Sequence, residues 1–204
     1  MRAIKKWTLA VCLSLLPLVS LAMELQENQQ YKVLPDNLAT KNDTQQKEVI
    51  EFFSYACPAC NRVHPGFDEW ASKAKGVDVR RIPVVFHPTW EPLARAYYTA
   101  EDLGVLDKLN SQLFAAIHEK KMDLSSKENI RKIFVENGVK AEDFDAMFDS
   151  AKVSAQIEEG KKLLTHYQVM AVPTAVVNGK FVTDLNMTQS PEGFSHAIAV
   201  LVNK

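Results

Sequence analysis

Apolar residues recur along the chain with two different periods, and the changes of period divide the sequence into segments. A run of β-forming residues at 49–53 is followed by apolar residues at helical spacing up to Gly76. Residues 77–86 alternate as a second strand, which a right-handed crossover would place beside the first. The pattern predicts a strand, a helix and a second strand in succession.

Between residues 90 and 168 the apolar spacing is almost wholly helical, and we predict five helices there. Ser125 with Glu128 predicts a capping box at the start of the third helix, and Gly138 suits the end of that helix. Such a block of helices between strand-forming segments is interpreted as an inserted helical domain.

The strand pattern returns in the last part of the chain. Two β-forming runs within residues 174–183 flank Asn178-Gly179, a dipeptide that satisfies the positive φ angles of a type I′ hairpin turn. Ser190 and Pro191 then supply a cap and a first-turn proline for a closing helix. The chain therefore ends as a hairpin followed by a helix.

The order of these elements predicts an α/β fold with an inserted α-helical domain. We assign residues 48–89 and 169–204 to the α/β domain and residues 90–168 to the insertion. Residues 23–47 are predicted to form an N-terminal arm with one edge strand.

Residues 1–22 have the pattern of a secretion signal. A basic start precedes an apolar run at 7–21, and Ser20-Leu21-Ala22 offers small residues at both positions that a signal peptidase recognises. A membrane anchor is the alternative, but the run is shorter than the roughly 18 to 20 apolar residues that span a bilayer. We therefore expect cleavage after Ala22 and export.

Cys57-Pro58-Ala59-Cys60 is the segment with the clearest chemistry. It holds both cysteines that remain after signal removal, since the third, Cys12, lies in the signal. Two cysteines separated by two residues can close a small disulfide ring, and a helix start favours the thiolate of the first. A structural disulfide across a turn is the alternative, but the strand-to-helix context favours a redox-active pair.

Charge and motif content exclude several other functions. The formal net charge is −1 and no basic patch is visible, so nucleic acid is not a predicted partner. The histidines show no metal-ligand spacing, and no metal site is predicted. They are His64, His87, His118, His166 and His196. No nucleotide-binding loop or nucleophilic Ser/His/Asp motif is present either.

Taken together, the motifs resemble those of periplasmic DsbA-type thiol:disulfide oxidoreductases, which have a thioredoxin fold. The resemblance rests on residues 51–60, on Val172-Pro173 and on residues 177–180, with the helical insertion between them. It covers essentially the whole chain after the signal. A lone CxxC would be weak evidence, whereas its combination with a Val-Pro pair before the hairpin is specific.

The resemblance implies that Cys57 is the exposed nucleophile and Cys60 its buried partner, with their disulfide as the redox group and no dissociable cofactor. It further implies a periplasmic oxidase whose substrates are reduced, unfolded exported proteins and whose reoxidant is an inner-membrane, quinone-linked protein of the DsbB type. A monomer is expected, because residues 23–47 are too few for the dimerisation domain of related isomerases. A disulfide isomerase or reductase on the same fold, or an exported CxxC metal-binding module, remain alternatives.

Within the motif, Pro58 fits the first turn of a helix, and Ala59 departs from the family pattern. The most strongly oxidising members commonly carry histidine at the position of Ala59, where it stabilises the thiolate. Alanine offers neither charge nor hydrogen bond. We therefore predict a pKa of Cys57 and a redox potential that are less extreme than in the histidine-bearing relatives.

Glu51 lies within an otherwise apolar strand, where an unpaired charge would be costly. The resemblance implies that this acid lies beneath the active site, near a buried lysine, and influences proton transfer to Cys60. Arg81 falls where that lysine is expected, which would keep the cation without its ability to release a proton. A shift of one residue would bring Arg80 there instead. The alternative for Glu51 is a solvent-facing position at a strand edge.

Val172-Pro173 precedes the predicted hairpin. The resemblance implies a cis proline that faces the disulfide, with the backbone of Val172 available to pair with an extended substrate. The alternative is an ordinary proline at the start of a strand.

Overall fold

The computed structural model describes residues 24–40 and 46–204. The predicted signal, including Cys12, lies outside this part. The described strands form one five-stranded sheet with the order β1-β5-β4-β2-β3. The strands are β1 (Lys32–Val33), β2 (Lys47–Phe53), β3 (Val77–Pro83), β4 (Thr174–Val177) and β5 (Phe181–Asp184).

Strand β2 lies inside the sheet, where it pairs with β3 in parallel and with β4 antiparallel. The β2–β3 register places Glu51 opposite Arg81. Both β-forming runs are therefore strands, as predicted, and they run parallel. The second strand ends at Pro83 instead of residue 86, because its partner β2 ends at Phe53.

Eight α-helices complete the described part of the chain. They are α1 (Pro58–Lys73), α2 (Glu91–Asp102), α3 (Leu106–His118), α4 (Lys127–Glu136), α5 (Ala141–Phe148), α6 (Ala151–His166), α7 (Leu185–Thr188) and α8 (Pro191–Leu201). The five helices predicted between residues 90 and 168 are present as α2–α6. None of the described helices is long and apolar enough to cross a membrane.

Three groups of buried apolar side chains hold these elements together. Helices α1 and α8 pack against one sheet face through residues such as Phe67 and Phe194. The opposite face is covered by a cluster that includes Phe52 and Tyr167. The largest group fills the space among α2–α6 and reaches the end of β2 at Phe53. The helices therefore share a core with the strand that leads to the cysteine motif.

The cap of helix α4 is Ser126 instead of the predicted Ser125. The Ser126 hydroxyl accepts a hydrogen bond from the Asn129 amide at 3.4 Å. The Ser125 amide donates to a carboxylate oxygen of Asp123 at 2.9 Å, so Ser125 belongs to the preceding turn. The predicted capping box of Ser125 with Glu128 is therefore wrong, because this local turn delays the helix by one residue.

The predicted hairpin turn is present, with Asn178 at φ 52° and Gly179 at φ 60°. The Lys180 amide closes the turn on the Val177 carbonyl at 3.0 Å. Cross-strand pairing then begins between Val177 and Phe181, one residue later than a two-residue hairpin would give.

Gly179→Ala is expected to lower the free energy of unfolding by about 2 to 3 kcal/mol, since an L-residue at this φ is disfavoured and the added Cβ would meet Thr40. It would lie 3.0 Å from the Thr40 backbone oxygen. Gly104→Ala is the matched control, because Gly104 has φ +68° with no neighbouring atom within 4 Å of its added Cβ. Urea denaturation should show a loss of about 1 kcal/mol in the unfolding free energy of that control. Equal losses in the two variants would contradict the close approach at Gly179.

Candidate active site

The turn between β2 and α1 places Cys57 at the start of a helix. Cys57 is the N-cap residue of α1, with Pro58 at the first helical position. The Cys57 amide donates to the Ser54 carbonyl at 3.1 Å, and the Ala56 amide donates to the Ser54 hydroxyl at 3.2 Å. These bonds fix the turn that presents Cys57 next to the free N–H groups of the first helical turn.

The two cysteines are free thiols in very different surroundings. Cys57 is part-exposed, whereas Cys60, one helical turn later, is 1 % exposed. A hydrogen bond from the Cys60 thiol lowers the pKa of Cys57 to about 6, despite partial burial, with the amides of Cys60 and Ala59 and the charge of His118 contributing. Burial raises the pKa of Cys60 well above its usual range. At neutral pH the pair therefore holds one thiolate and one thiol.

The loop before β4 forms the second side of the site. The Val172–Pro173 peptide bond is cis. Cys57 Sγ lies 3.4 Å from the Val172 carbonyl oxygen, across 115 residues of sequence, and donates to it when Cys57 is protonated. The structure therefore places the Val172 carbonyl, and with it the cis Val172–Pro173 peptide, beside Cys57.

Glu51 lies in the interior and is paired. Its carboxylate lies 3.0 Å from the Arg81 guanidinium, and the two side chains are 5 % and 14 % exposed. Burial raises the pKa of Glu51 to about 7, with Arg81 acting in the opposite direction. Arg80 instead pairs with Glu48 at 3.4 Å on a more exposed face. The solvent-facing alternative for Glu51 is thus wrong, and the one-residue shift to Arg80 does not occur.

Comparison with known proteins shows the family of this chain. Residues 48–199 match the family model described as a DSBA-like thioredoxin domain. The chain belongs to this family. Over 170 residues it is 32 % identical to the thiol:disulfide interchange protein DsbA of Azotobacter vinelandii, covering 83 % of this chain and 79 % of that protein. Over 146 residues it is 34 % identical to DsbA of Pseudomonas aeruginosa, covering 71 % and 69 % of the two proteins.

Solved structures of DsbA proteins share the fold. The crystal structure of Pseudomonas aeruginosa DsbA superposes with a TM-score of 0.79 at 30 % sequence identity, covering 86 % of this chain and 91 % of that one. DsbA from Xylella fastidiosa gives a TM-score of 0.75 at 28 % identity, with coverages of 85 % and 94 %. The expected thioredoxin fold is confirmed, and this DsbA-family chain is a thiol:disulfide oxidoreductase.

Three polar residues near the site of this DsbA-family chain were not predicted. His118 of α3 contacts the Tyr55 carbonyl oxygen through Nε2 at 2.8 Å. His64 and Asp68 of α1 form a pair at 3.2 Å. Cys60, His64 and Asp68 follow one another at spacings of four residues, which places them on one face of α1. This spacing is visible in the sequence and could have predicted the His64–Asp68 pair. No pattern in the sequence predicts the contact between His118 and Tyr55, which are 63 residues apart.

Within residues 24–40 and 46–204, no group of three or more His, Cys, Asp or Glu side chains is arranged to hold a metal ion.

Proposed function

We propose that the protein introduces disulfide bonds into exported proteins, using a disulfide between Cys57 and Cys60. The observation that carries the proposal is the contrast between the two thiols. The pKa of Cys57 is lowered to about 6, whereas burial holds Cys60 protonated. A stabilised thiolate favours the reduced dithiol, and a disulfide whose reduced form is stabilised is a strong oxidant.

In the proposed reaction, a substrate thiolate attacks Sγ of Cys57 in the oxidised protein. The Cys57–Cys60 bond breaks, Cys60 leaves with the electron pair and takes up a proton, and a mixed disulfide with Cys57 forms. A second substrate thiolate then attacks the substrate sulfur of that mixed disulfide. Cys57 leaves as the thiolate, so the substrate is oxidised by two electrons and the protein is reduced.

Glu51 is the proposed proton donor and acceptor for Cys60. It is within electrostatic reach of that thiol, and its pKa of about 7 suits an exchange of protons at neutral pH. Arg81 would orient the Glu51 carboxylate without itself transferring a proton, because its guanidinium stays protonated. Pro58 and Ala59 shape the first turn around the reactive sulfur.

Val172 and Pro173 form the proposed substrate groove. The Val172 carbonyl lies 3.4 Å from the Cys57 sulfur, so an extended substrate bound by its backbone at Val172 would hold its own sulfur near Cys57. We further propose residues 48–89 and 169–204 as the catalytic domain and residues 90–168 as its insertion.

We also propose a periplasmic location and a set of partners, on the basis of the same family membership. Residues 1–22 would direct the chain to the periplasm and be removed. There, a monomer without a dissociable cofactor would act on reduced, unfolded exported proteins. A DsbB-type quinone-linked membrane protein would accept the electrons and restore the Cys57–Cys60 disulfide.

The test is the redox equilibrium of the purified mature protein with glutathione, followed by thiol content. We expect a potential closer to about −120 mV, the value established for DsbA, than to about −270 mV, the value for thioredoxin. Ala59→His should make the potential more oxidising, and Ala59→Ser, without a charge, should change it less. A wild-type value near the thioredoxin figure would favour a reductase or isomerase and overturn the proposed direction.

A further inference from the structure

Arg81 lies between two carboxylates on different elements. Its Nε is 3.0 Å from Glu51 on β2, and its Nη2 forms an ion pair with Asp68 on α1. The Glu51 side chain is 5 % exposed, whereas that of Asp68 is 35 % exposed. A single cation therefore joins an inner acid, within electrostatic reach of Cys60, to an outer acid that water can reach.

Asp68 is held in place by the rest of helix α1 and by α3. His64 Nδ1 lies 3.2 Å from the Asp68 carboxylate, and His64 Nε2 lies 3.0 Å from the Ser111 hydroxyl. The His64 ring also stacks on Phe114, with ring centroids 4.5 Å apart. Partial burial opposes ionisation of Asp68, but the His64 hydrogen bond and the Arg81 charge keep its pKa below the usual range. Asp68 is thus a fixed negative charge at neutral pH.

The other ionisable groups near this network lie mainly on the outer side of Arg81. A cavity of about 430 Å³ is lined there by Arg81 and Asp68 together with Tyr97, Glu101 and Asp107. On the inner side, His64 and Arg81 face Glu51 around a gap with no room for a water molecule. The charges that act most directly on Glu51 are therefore those of Arg81, Asp68 and His64.

A buried acid beside an arginine has a specific difficulty as a proton carrier. The guanidinium stays charged and cannot give up its own proton. An Arg81 that paired with Glu51 alone would therefore favour the ionised form of Glu51. A second carboxylate on the same guanidinium opposes that effect, because its negative charge offsets the cation.

We propose that Asp68 is a positioning residue for the exchange reaction: by sharing Arg81 with Glu51, it leaves Glu51 able to accept and return the proton of Cys60 near neutral pH. The inference rests on the proposed role of Glu51. The added feature is the Asp68 carboxylate, held by its contact with His64. Its negative charge offsets the effect of the Arg81 cation on Glu51.

The test uses the reaction of the reduced protein with an aromatic disulfide. Each of the two exchange steps releases one coloured aromatic thiolate, so the absorbance rises in two phases. Attack by Cys57 gives the first phase, and closure by Cys60 gives the second, in which Glu51 takes the proton. In Asp68→Asn, the pH midpoint of the second phase should fall by about one unit, because loss of a nearby negative charge favours ionised Glu51. The plateau rate should also fall, since the base is weaker.

The control variant is Glu69→Gln, on the neighbouring, exposed residue that pairs with Lys73 at 2.6 Å. It should leave both phases unchanged. The first phase should be unaltered in Asp68→Asn as well, because the Cys57 thiolate does not depend on Glu51. Asp68→Ser removes the same charge with a smaller side chain, so it should lower the midpoint by a similar amount and serves if Asp68→Asn does not fold.

An unchanged or higher midpoint in Asp68→Asn, or in Asp68→Ser where that variant alone folds, would overturn the inference. Glu51→Gln separates this failure from that of the proposed function. If Glu51→Gln removes the pH dependence of the second phase while Asp68→Asn leaves the midpoint in place, Glu51 carries the proton and Asp68 plays no part. If Glu51→Gln retains the pH dependence, the proposed role of Glu51 is wrong, and the role of Asp68 is wrong with it.

Discussion

Cys57→Ser is expected to abolish thiol–disulfide exchange, and Cys60→Ser is expected to stop the reaction at a stable mixed disulfide. At pH 7 a thiol with a pKa of about 6 is mostly thiolate, whereas a thiol with a pKa of 9.0 is about 1 % thiolate. Cys60 is less reactive still, because burial raises its pKa further and leaves it 1 % exposed. The rate with a peptide disulfide should therefore fall more than about 100-fold in Cys57→Ser.

Mass spectrometry after mixing with the peptide disulfide distinguishes the two variants. Cys60→Ser should accumulate one peptide, bound at Cys57, because no second thiol is present to release it. Cys57→Ser should accumulate none. A peptide captured by Cys60 in the Cys57→Ser variant would show that the buried thiol is accessible, and would contradict the assigned roles of the two cysteines.

Local sequence signals were sufficient for the parts of the fold that carry the cysteines. The β-forming run before the motif, Pro58 at the helix start and Asn178-Gly179 in the hairpin each constrain the backbone over a few residues. Such constraints act whatever the rest of the chain does. The strand, the helix and the turn were therefore predictable from the residues themselves.

Other features depend on contacts between distant segments, and the sequence alone did not reveal them. The Ser111–His64 contact joins α3 to α1 across 47 residues, and the Tyr55–Asn110 hydrogen bond of 2.8 Å joins the active-site turn to α3. The shift of the α4 cap to Ser126 has a local cause, the turn at Asp123, which competes with the capping pattern. Helix spacing alone does not resolve such a competition.

The unfolding free energy of the reduced protein is expected to increase by about 3 kcal/mol between pH 6 and pH 9, relative to that of the oxidised protein. A hydrogen bond from Cys60 lowers the pKa of Cys57 in the folded state to about 6, from 9.0 for an ordinary cysteine. In this window the unfolded chain therefore binds more protons than the folded chain. The stabilisation is complete above pH 9 and is lost as the pH falls through 6.

Urea denaturation of both redox forms at several pH values measures this difference. Glu51 contributes with the opposite sign, because its folded pKa of about 7 lies above 4.5, and its stabilising effect is lost as the pH rises through 7. That contribution is common to both redox forms, so the comparison largely removes it. Cys57→Ser is the control, and it should show no such increase under reducing conditions.

The same free energy determines the oxidising power of the disulfide. In a cycle that links folding and reduction, stabilising the folded dithiol makes the folded disulfide easier to reduce than the disulfide of the unfolded chain. For a two-electron couple, about 3 kcal/mol corresponds to about 65 mV. If the two redox forms showed the same pH dependence between 6 and 9, Cys57 would be an ordinary thiol, and the proposed oxidase would lack the thiolate stabilisation that makes its disulfide reactive.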